Sequence, residues 1–159
     1  WNLPVIFFCE NNLYGMGAAA SDTVAIHDEI YKTADAYRMP GYRIDGMNVF
    51  EVKEKMAEAV GHVSRGKGPV FIEAITYRFR GHSVADPADY RPAEEVEYWR
   101  QRDPLILLKQ KILDSEIASD SELAEIERVV DLEMEEAVKY AEESSFPEPS
   151  SLSEDIYGT

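Results

Sequence analysis

Pro4-Val5-Ile6-Phe7-Phe8-Cys9-Glu10-Asn11-Asn12-Leu13-Tyr14-Gly15-Met16-Gly17 falls into two halves. Residues 4 to 9 are a short, continuous apolar run between a proline and an asparagine pair, the pattern of a fully buried strand. The second half is polar and carries glycines. A buried strand that empties into such a turn puts ligand-binding groups at the carboxyl edge of a sheet, where open α/β folds hold cofactors.

Working outward, the spacing predicts a helix from His27 to Arg38, stopped before Met39-Pro40-Gly41 because the residue preceding a proline disfavours the helical region. Tyr42 to Asp45 reads as a short strand, and Asn48 as the cap of a following helix. Val49, Val52, Met56, Ala59, Val60 and Val63 recur at three and four residues, so they share one face of it. Gly66 and Gly68 end that helix, and Pro69 to Tyr77 supplies another apolar strand. The order strand, helix, strand, helix, strand implies parallel pairing with right-handed crossovers.

From Arg78 to Pro92 the periodicity lapses. Loops of that length are functional or disordered more often than not. Helices follow. Asp103-Pro104 opens one that carries Leu105, Ile106, Leu108 and Ile112. Ser119-Asp120-Ser121-Glu122 has capping-box form and opens the next, whose expected buried stripe is Leu123, Ile126, Val130, Met134, Ala137 and Ala141. Phe146-Pro147-Glu148-Pro149 begins a tail.

Charge is unevenly spread over the 159 residues. Up to Ala93 there are 10 Lys or Arg against 12 Asp or Glu, but from Glu94 onward 6 against 19, which accounts for most of the net charge of −15. Nucleic acid is a poor partner for such a chain, since phosphate binding needs a basic surface. The acidic run reads as solvated helix faces. Cys9 is the sole cysteine, so there is no disulfide framework; a reducing compartment and an inert, buried thiol are expected. No stretch approaches the ~20 apolar residues that span a bilayer. The start at Trp1, directly before a core strand, points to a piece of a longer protein.

Two loops could carry chemistry. In the first, the Asn12 amide oxygen and the backbone carbonyls near Tyr14 are hard donors suited to Mg²⁺, and Gly15 and Gly17 would allow close backbone approach. The same residues also suit a simple Asx turn with the glycines at positive φ. In the second, Arg78, Arg80 and His82 follow a strand end and could hold phosphate oxygens, with His82 able to exchange a proton near neutral pH. A surface loop whose arginines pair with carboxylates is the alternative. His27 and His62 look ordinary.

Together the loops resemble a known family. Leu3-Pro4-Val5, Glu10-Asn11-Asn12-Leu13-Tyr14-Gly15-Met16-Gly17, Arg43-Ile44-Asp45-Gly46-Met47, Gly66-Lys67-Gly68-Pro69, Glu73, Thr76-Tyr77-Arg78, Arg80-Gly81-His82-Ser83, Asp86-Pro87, Tyr90-Arg91 and Arg102-Asp103-Pro104 resemble the α subunit of thiamine-diphosphate-dependent 2-oxoacid dehydrogenase E1 components, most closely the bacterial pyruvate type. The resemblance implies an α/β fold, a partial thiamine-diphosphate-binding domain with parallel strands and crossover helices. Residues 1–93, including the active-site loop 78–92, would belong to that domain, and 94–159 would be its helical extension and tail.

By the same resemblance, the Asn12 side chain and the Tyr14 carbonyl would bind Mg²⁺, which holds the diphosphate. Arg78 and His82 would contact the cofactor, with His82 the catalytic candidate. The implied activity is oxidative decarboxylation of a 2-oxoacid with acyl transfer to the lipoyl group of the E2 acyltransferase. The implied partners are an E1 β subunit, in a heterotetramer of two α and two β chains, and E2; the expected location is the bacterial cytoplasm, or an organelle if a transit peptide precedes this stretch. Acetoin and branched-chain relatives are the competing enzymes, and a non-catalytic α/β module is the competing class. Ser83 matches a position that mitochondrial relatives phosphorylate, and Asp89 stands where those relatives often have a second phosphorylatable serine. One departure is large: the family's Gly-Asp-Gly, whose aspartate is a further metal ligand, lies farther upstream of the asparagine pair than the 11 residues that precede Asn12 here. The isolated chain is therefore expected to bind cofactor poorly and to be inactive by itself.

Overall fold

The computed structural model describes residues 1–157. Strand β1 (Ile6–Asn11) leads into a small antiparallel hairpin, β2 (Tyr14–Gly15) and β3 (Ala18–Ala19), and a one-turn helix α1 (Ala20–Thr23). A 3-10 helix over Ile30–Tyr37, strand β4 (Gly41–Asp45), helix α2 (Val49–Ser64) and strand β5 (Val70–Ile75) follow. Helices α3 (Ala93–Arg100), α4 (Pro104–Asp114) and α5 (Asp120–Glu143) come next, then a 3-10 turn over Pro149–Ser153.

Among the described residues β1, β5 and β4 form one parallel sheet in that order. Ile6 lies opposite Val70 and Asn11 opposite Ile75; on the other side Gly41 lies opposite Phe71 and Asp45 opposite Ile75. The last strand in sequence is thus the central one, the outcome that a run of Val, Phe, Ile, Ala and Ile buried on both faces requires. The core gathers Ile44, Ala59, Val63, Val70, Ile72 and Ala74, with Ile6, Val52 and Met56 packed against it. Asn48 caps α2 by accepting from the N–H of Phe50 and Glu51. Asn48→Ala is expected to lower stability by about 0.5–2 kcal/mol, read from the midpoint of urea unfolding.

Several sequence expectations change in three dimensions. β1 is an edge strand of the described sheet, so Phe7 and Phe8 are 48% and 39% exposed rather than fully buried. The segment from His27 is not an α-helix at its start: turns precede a 3-10 helix that begins at Ile30 and stops at Arg38 in the left-handed region. On α2, Val49 and Val60 are exposed although Ala59 and Val63, on either side of Val60 in sequence, are buried; the two exposed valines lie round the helix on the flank of the buried line.

The chain divides into two compact units, Trp1–Lys111 and a second from Ile112 onward. In the second, Ser119 and Glu122 exchange hydrogen bonds as a capping box at the start of α5. Its apolar stripe is not buried: Ile126, Val130 and Met134 are all exposed. Among the described residues no helix is long and apolar enough to cross a membrane.

Candidate active site on two neighbouring loops

β1 and β5 end side by side, Asn11 opposite Ile75, so the loops that leave them start as neighbours. In the first loop Asn11 Oδ1 accepts from Leu13 N at 3.1 Å and Asn12 Oδ1 accepts from Tyr14 N at 3.1 Å. These are two overlapping Asx turns. Positive φ is taken by Leu13 (70°) and Met16 (56°), and the glycines with positive φ are Gly66 and Gly68, not Gly15 or Gly17. Gly17 lies beside the Tyr90 ring, where a Cβ would make an ordinary contact at 3.4 Å.

Arg78 ties the two loops together. Its Nη2 donates to the Met16 carbonyl at 2.8 Å and to the Tyr90 hydroxyl at 2.9 Å, and its Nε donates to the Arg80 carbonyl at 3.2 Å. Nη1 faces His82 Nδ1 at 3.5 Å. An N–H donor on that side leaves the proton of a neutral imidazole on Nε2. His82 and Ser83 are both exposed, and the loop around them forms a concavity of about 640 Å³ with Arg80, Asp86 and Arg91 among its lining residues.

Asp86 organises this second loop. One oxygen accepts from the Tyr90 hydroxyl at 2.7 Å and from His82 N at 2.6 Å, the other from Ala88 N at 2.8 Å. Gly81 permits the fold-back, because a Cβ there would fall 2.5 Å from the Asp86 carbonyl oxygen. The Tyr90 hydroxyl first, then the two N–H groups, draw the Asp86 carboxyl from its ordinary 3.8 down to about 2. A carboxyl depressed in the folded state contributes stability that is complete above about pH 4. That contribution disappears as pH falls from 3.8 toward about 2. Pepsin nicking between Arg78 and Pro92 is expected to rise across this interval in the native protein and to be higher but flat in Asp86→Asn.

Beneath the loops lies a cluster that the sequence did not reveal. Arg91 is 8% exposed, its guanidinium carbon 5.9, 5.4 and 5.8 Å from the ring centroids of Tyr14, Tyr77 and Tyr90. It donates to the carbonyls of Arg78 and Phe79. The Tyr14 hydroxyl donates to Glu95 of α3 at 2.9 Å, and Trp99 of α3 stacks on Tyr77 at 5.3 Å. Burial, then the neighbouring Glu95 carboxylate, pushes the Tyr77 hydroxyl up to about 12 and raises Tyr14 as well; both phenols stay neutral at physiological pH. Cys9 is half-buried, and burial followed by the Glu73 and Glu10 carboxylates raises its thiol, which disfavours the reactive thiolate.

The expected site residues therefore fall into two groups. Asn12 and Tyr14 sit on the first loop, Arg78 and His82 on the second, and Arg78 joins them through Met16. Glu73, Asp86, Arg91 and Glu95 support them. A lone glutamate inside the apolar run Phe71 to Ile75 was the available signal for the first of these. Among the described residues no group of three or more His, Cys, Asp or Glu side chains is placed to hold a metal. The oxygen donors of Asn12 and Tyr14 suit a hard cation in kind, but two neutral ligands are only part of an octahedral set.

The fold is that of an α/β protein with its candidate site residues at the carboxyl edge of a parallel sheet. The dehydrogenase E1 component family matches residues 1–150, and the chain belongs to that family. It is similar to the pyruvate dehydrogenase E1 component subunit alpha of Porphyra purpurea, 48% identical over 119 residues that cover 75% of this chain and 34% of the relative. The subunit of the same name from Rhizobium meliloti (strain 1021) is 44% identical over 120 residues, 75% of this chain and 34% of the relative. The somatic, mitochondrial form from Homo sapiens is 44% identical over 121 residues, 75% of this chain and 30% of the relative. The chain spans about a third of the length of these curated relatives.

Proposed function

We propose that this chain acts within an E1 α subunit that carries out thiamine-diphosphate- and Mg²⁺-dependent oxidative decarboxylation of a 2-oxoacid, pyruvate above others. The observation that carries it is the junction of the two loops: the oxygen donors of Asn12 and Tyr14, and the basic pair Arg78 and His82, fastened through Met16. Asn12 Oδ1 and the Tyr14 carbonyl would hold Mg²⁺, a cation that takes phosphate oxygens as its remaining ligands. Thiamine diphosphate, when bound, supplies an electron sink for the carbon that loses carbon dioxide. Arg78 orients His82 from the Nδ1 side, and His82 Nε2 holds the proton offered to the reacting centre. The Arg78–Pro92 loop excludes water from that centre.

An E1 β subunit and the lipoyl acyltransferase E2 are the partners in this scheme. The relatives include chloroplastic and mitochondrial forms; for this chain we favour a bacterial cytoplasm, because Asp89 replaces the second phosphorylatable serine that mitochondrial members of the family often carry. The test is turnover by the full-length α chain with its β partner, with pyruvate, acetoin and a branched 2-oxoacid compared. Pyruvate is expected to lead by at least about tenfold, roughly the 1.4 kcal/mol that a well-shaped pocket gains per methylene or hydroxyl discriminated. Faster acetoin or branched-chain turnover would move the substrate assignment, and none with any of the three would leave a binding module.

A further inference from the structure

Glu73 is 0% exposed at the middle of β5, between Ile72 and Ala74, and none of the chemistry assigned to the loops uses it. A carboxylate so placed needs partners to offset its burial. Among the described residues the two groups that hydrogen-bond it are both donors: Asn11 Nδ2 lies 2.7 Å from Oε1 and Tyr31 N lies 2.9 Å from Oε2. A carboxylate supplies two acceptors and meets both, whereas an amide would set a donor against one of the two N–H groups. The second proton of Asn11 Nδ2 goes to the His27 carbonyl at 3.1 Å, and its Oδ1 accepts from Leu13 N. All of the Asn11 side chain is therefore committed, and its amide can point only one way.

Leu13, the residue so held, is the left-handed one that separates Asn12 from Tyr14. We infer that Glu73 is the positioning residue of the metal-binding turn: from the centre of the sheet it fixes Asn11, Asn11 fixes the backbone at Leu13, and the Asn12 and Tyr14 oxygens are thereby set for one cation. The same carboxylate grips the 3-10 segment at Tyr31, so the turn is anchored to a strand and to the crossover at once. This inference rests on Asn12 and Tyr14 being metal ligands.

Its test uses the full-length α chain assembled with its β partner, thiamine diphosphate in excess and Mn²⁺ as the probe, with free Mn²⁺ read by electron paramagnetic resonance and folding by thermal unfolding. E73Q is expected to fold and to lose about 10–100-fold in Mn²⁺ affinity, the usual effect of removing a group that orients a metal ligand. E73Q/N11D exchanges donor and acceptor across the 2.7 Å gap and is expected to recover part of that loss, short of native because the carboxylate introduced on β1 cannot donate to the His27 carbonyl. Native Mn²⁺ affinity in folded E73Q overturns the inference, as does a loss that the double variant leaves untouched. If E73Q does not fold, N11A severs the same link from its other end: weakened Mn²⁺ binding supports the role and native binding overturns it. Native binding in N12A would instead remove the metal assignment itself and the inference with it, a pattern distinct from the others.

Discussion

Asn12→Ala, introduced into the full-length α chain with its β partner, is expected to cut metal-dependent turnover by more than about 100-fold, since losing even an outer partner of a ligand costs about 10–100-fold. The fold should survive. Asn12 is half-buried and the Oδ1 bond to Tyr14 N is one neutral hydrogen bond, worth about 0.5–1.5 kcal/mol. Asn12→Asp keeps an oxygen in place and should retain a larger share of activity, and raised Mg²⁺ should rescue the alanine variant in part. Steady-state rates against Mg²⁺ concentration check all three.

Arg91→Ala carries the largest expected loss of stability within the loops. Substitution empties the space among the Tyr14, Tyr77 and Tyr90 rings and takes the guanidinium from the carbonyls of Arg78 and Phe79. A cavity of that kind costs about 2–5 kcal/mol, and the lost cation–π attraction adds about 0.5–2 kcal/mol, part of it recovered by water reaching the carbonyls. A net loss of about 3–5 kcal/mol follows. Arg78 depends on the same cluster through Tyr90, so the loop should become sensitive to proteolysis even with cofactor present. Arg91→Lys keeps a charge without the planar fork and should fall between the two. Differential scanning calorimetry and limited proteolysis measure these effects separately.

What the residues alone could reveal depended on how local each cause is. The Asn48 cap and the Ser119–Glu122 box are set within a single turn, and both form where their residue types place them. β5 was legible because a strand buried on both faces is apolar, here at every position but Glu73, and parallel pairing followed from the helical segments between strands. The exposure of Phe7 and Phe8 was not legible: an apolar run shows what a strand can bury, and only the sheet order shows that β1 is an edge. The stripe on α5 failed for the same reason: its period is helical, yet Ile126, Val130 and Met134 are exposed.

At the site, the two loops stood out because asparagine pairs, glycines and basic residues after apolar runs are local features. Arg91 and Glu73 escaped because their roles depend on contacts distant in sequence, Glu73 reaching Asn11 across the sheet and Arg91 reaching Tyr14. The turn itself held a surprise of backbone chemistry. Leu13 and Met16, not the glycines beside them, adopt positive φ; Leu13 N donates to Asn11 Oδ1 and the Met16 carbonyl accepts from Arg78, bonds that hold the strained backbone.

The most direct measurement is a crystal structure of the full-length α chain with its β partner, grown with thiamine diphosphate and Mg²⁺. The prediction is that Asn12 Oδ1 and the Tyr14 carbonyl both lie about 2.0–2.1 Å from Mg²⁺, with Arg78 and His82 beside the cofactor. A metal and diphosphate bound elsewhere, with Asn12 still engaged only by Tyr14 N, would contradict it.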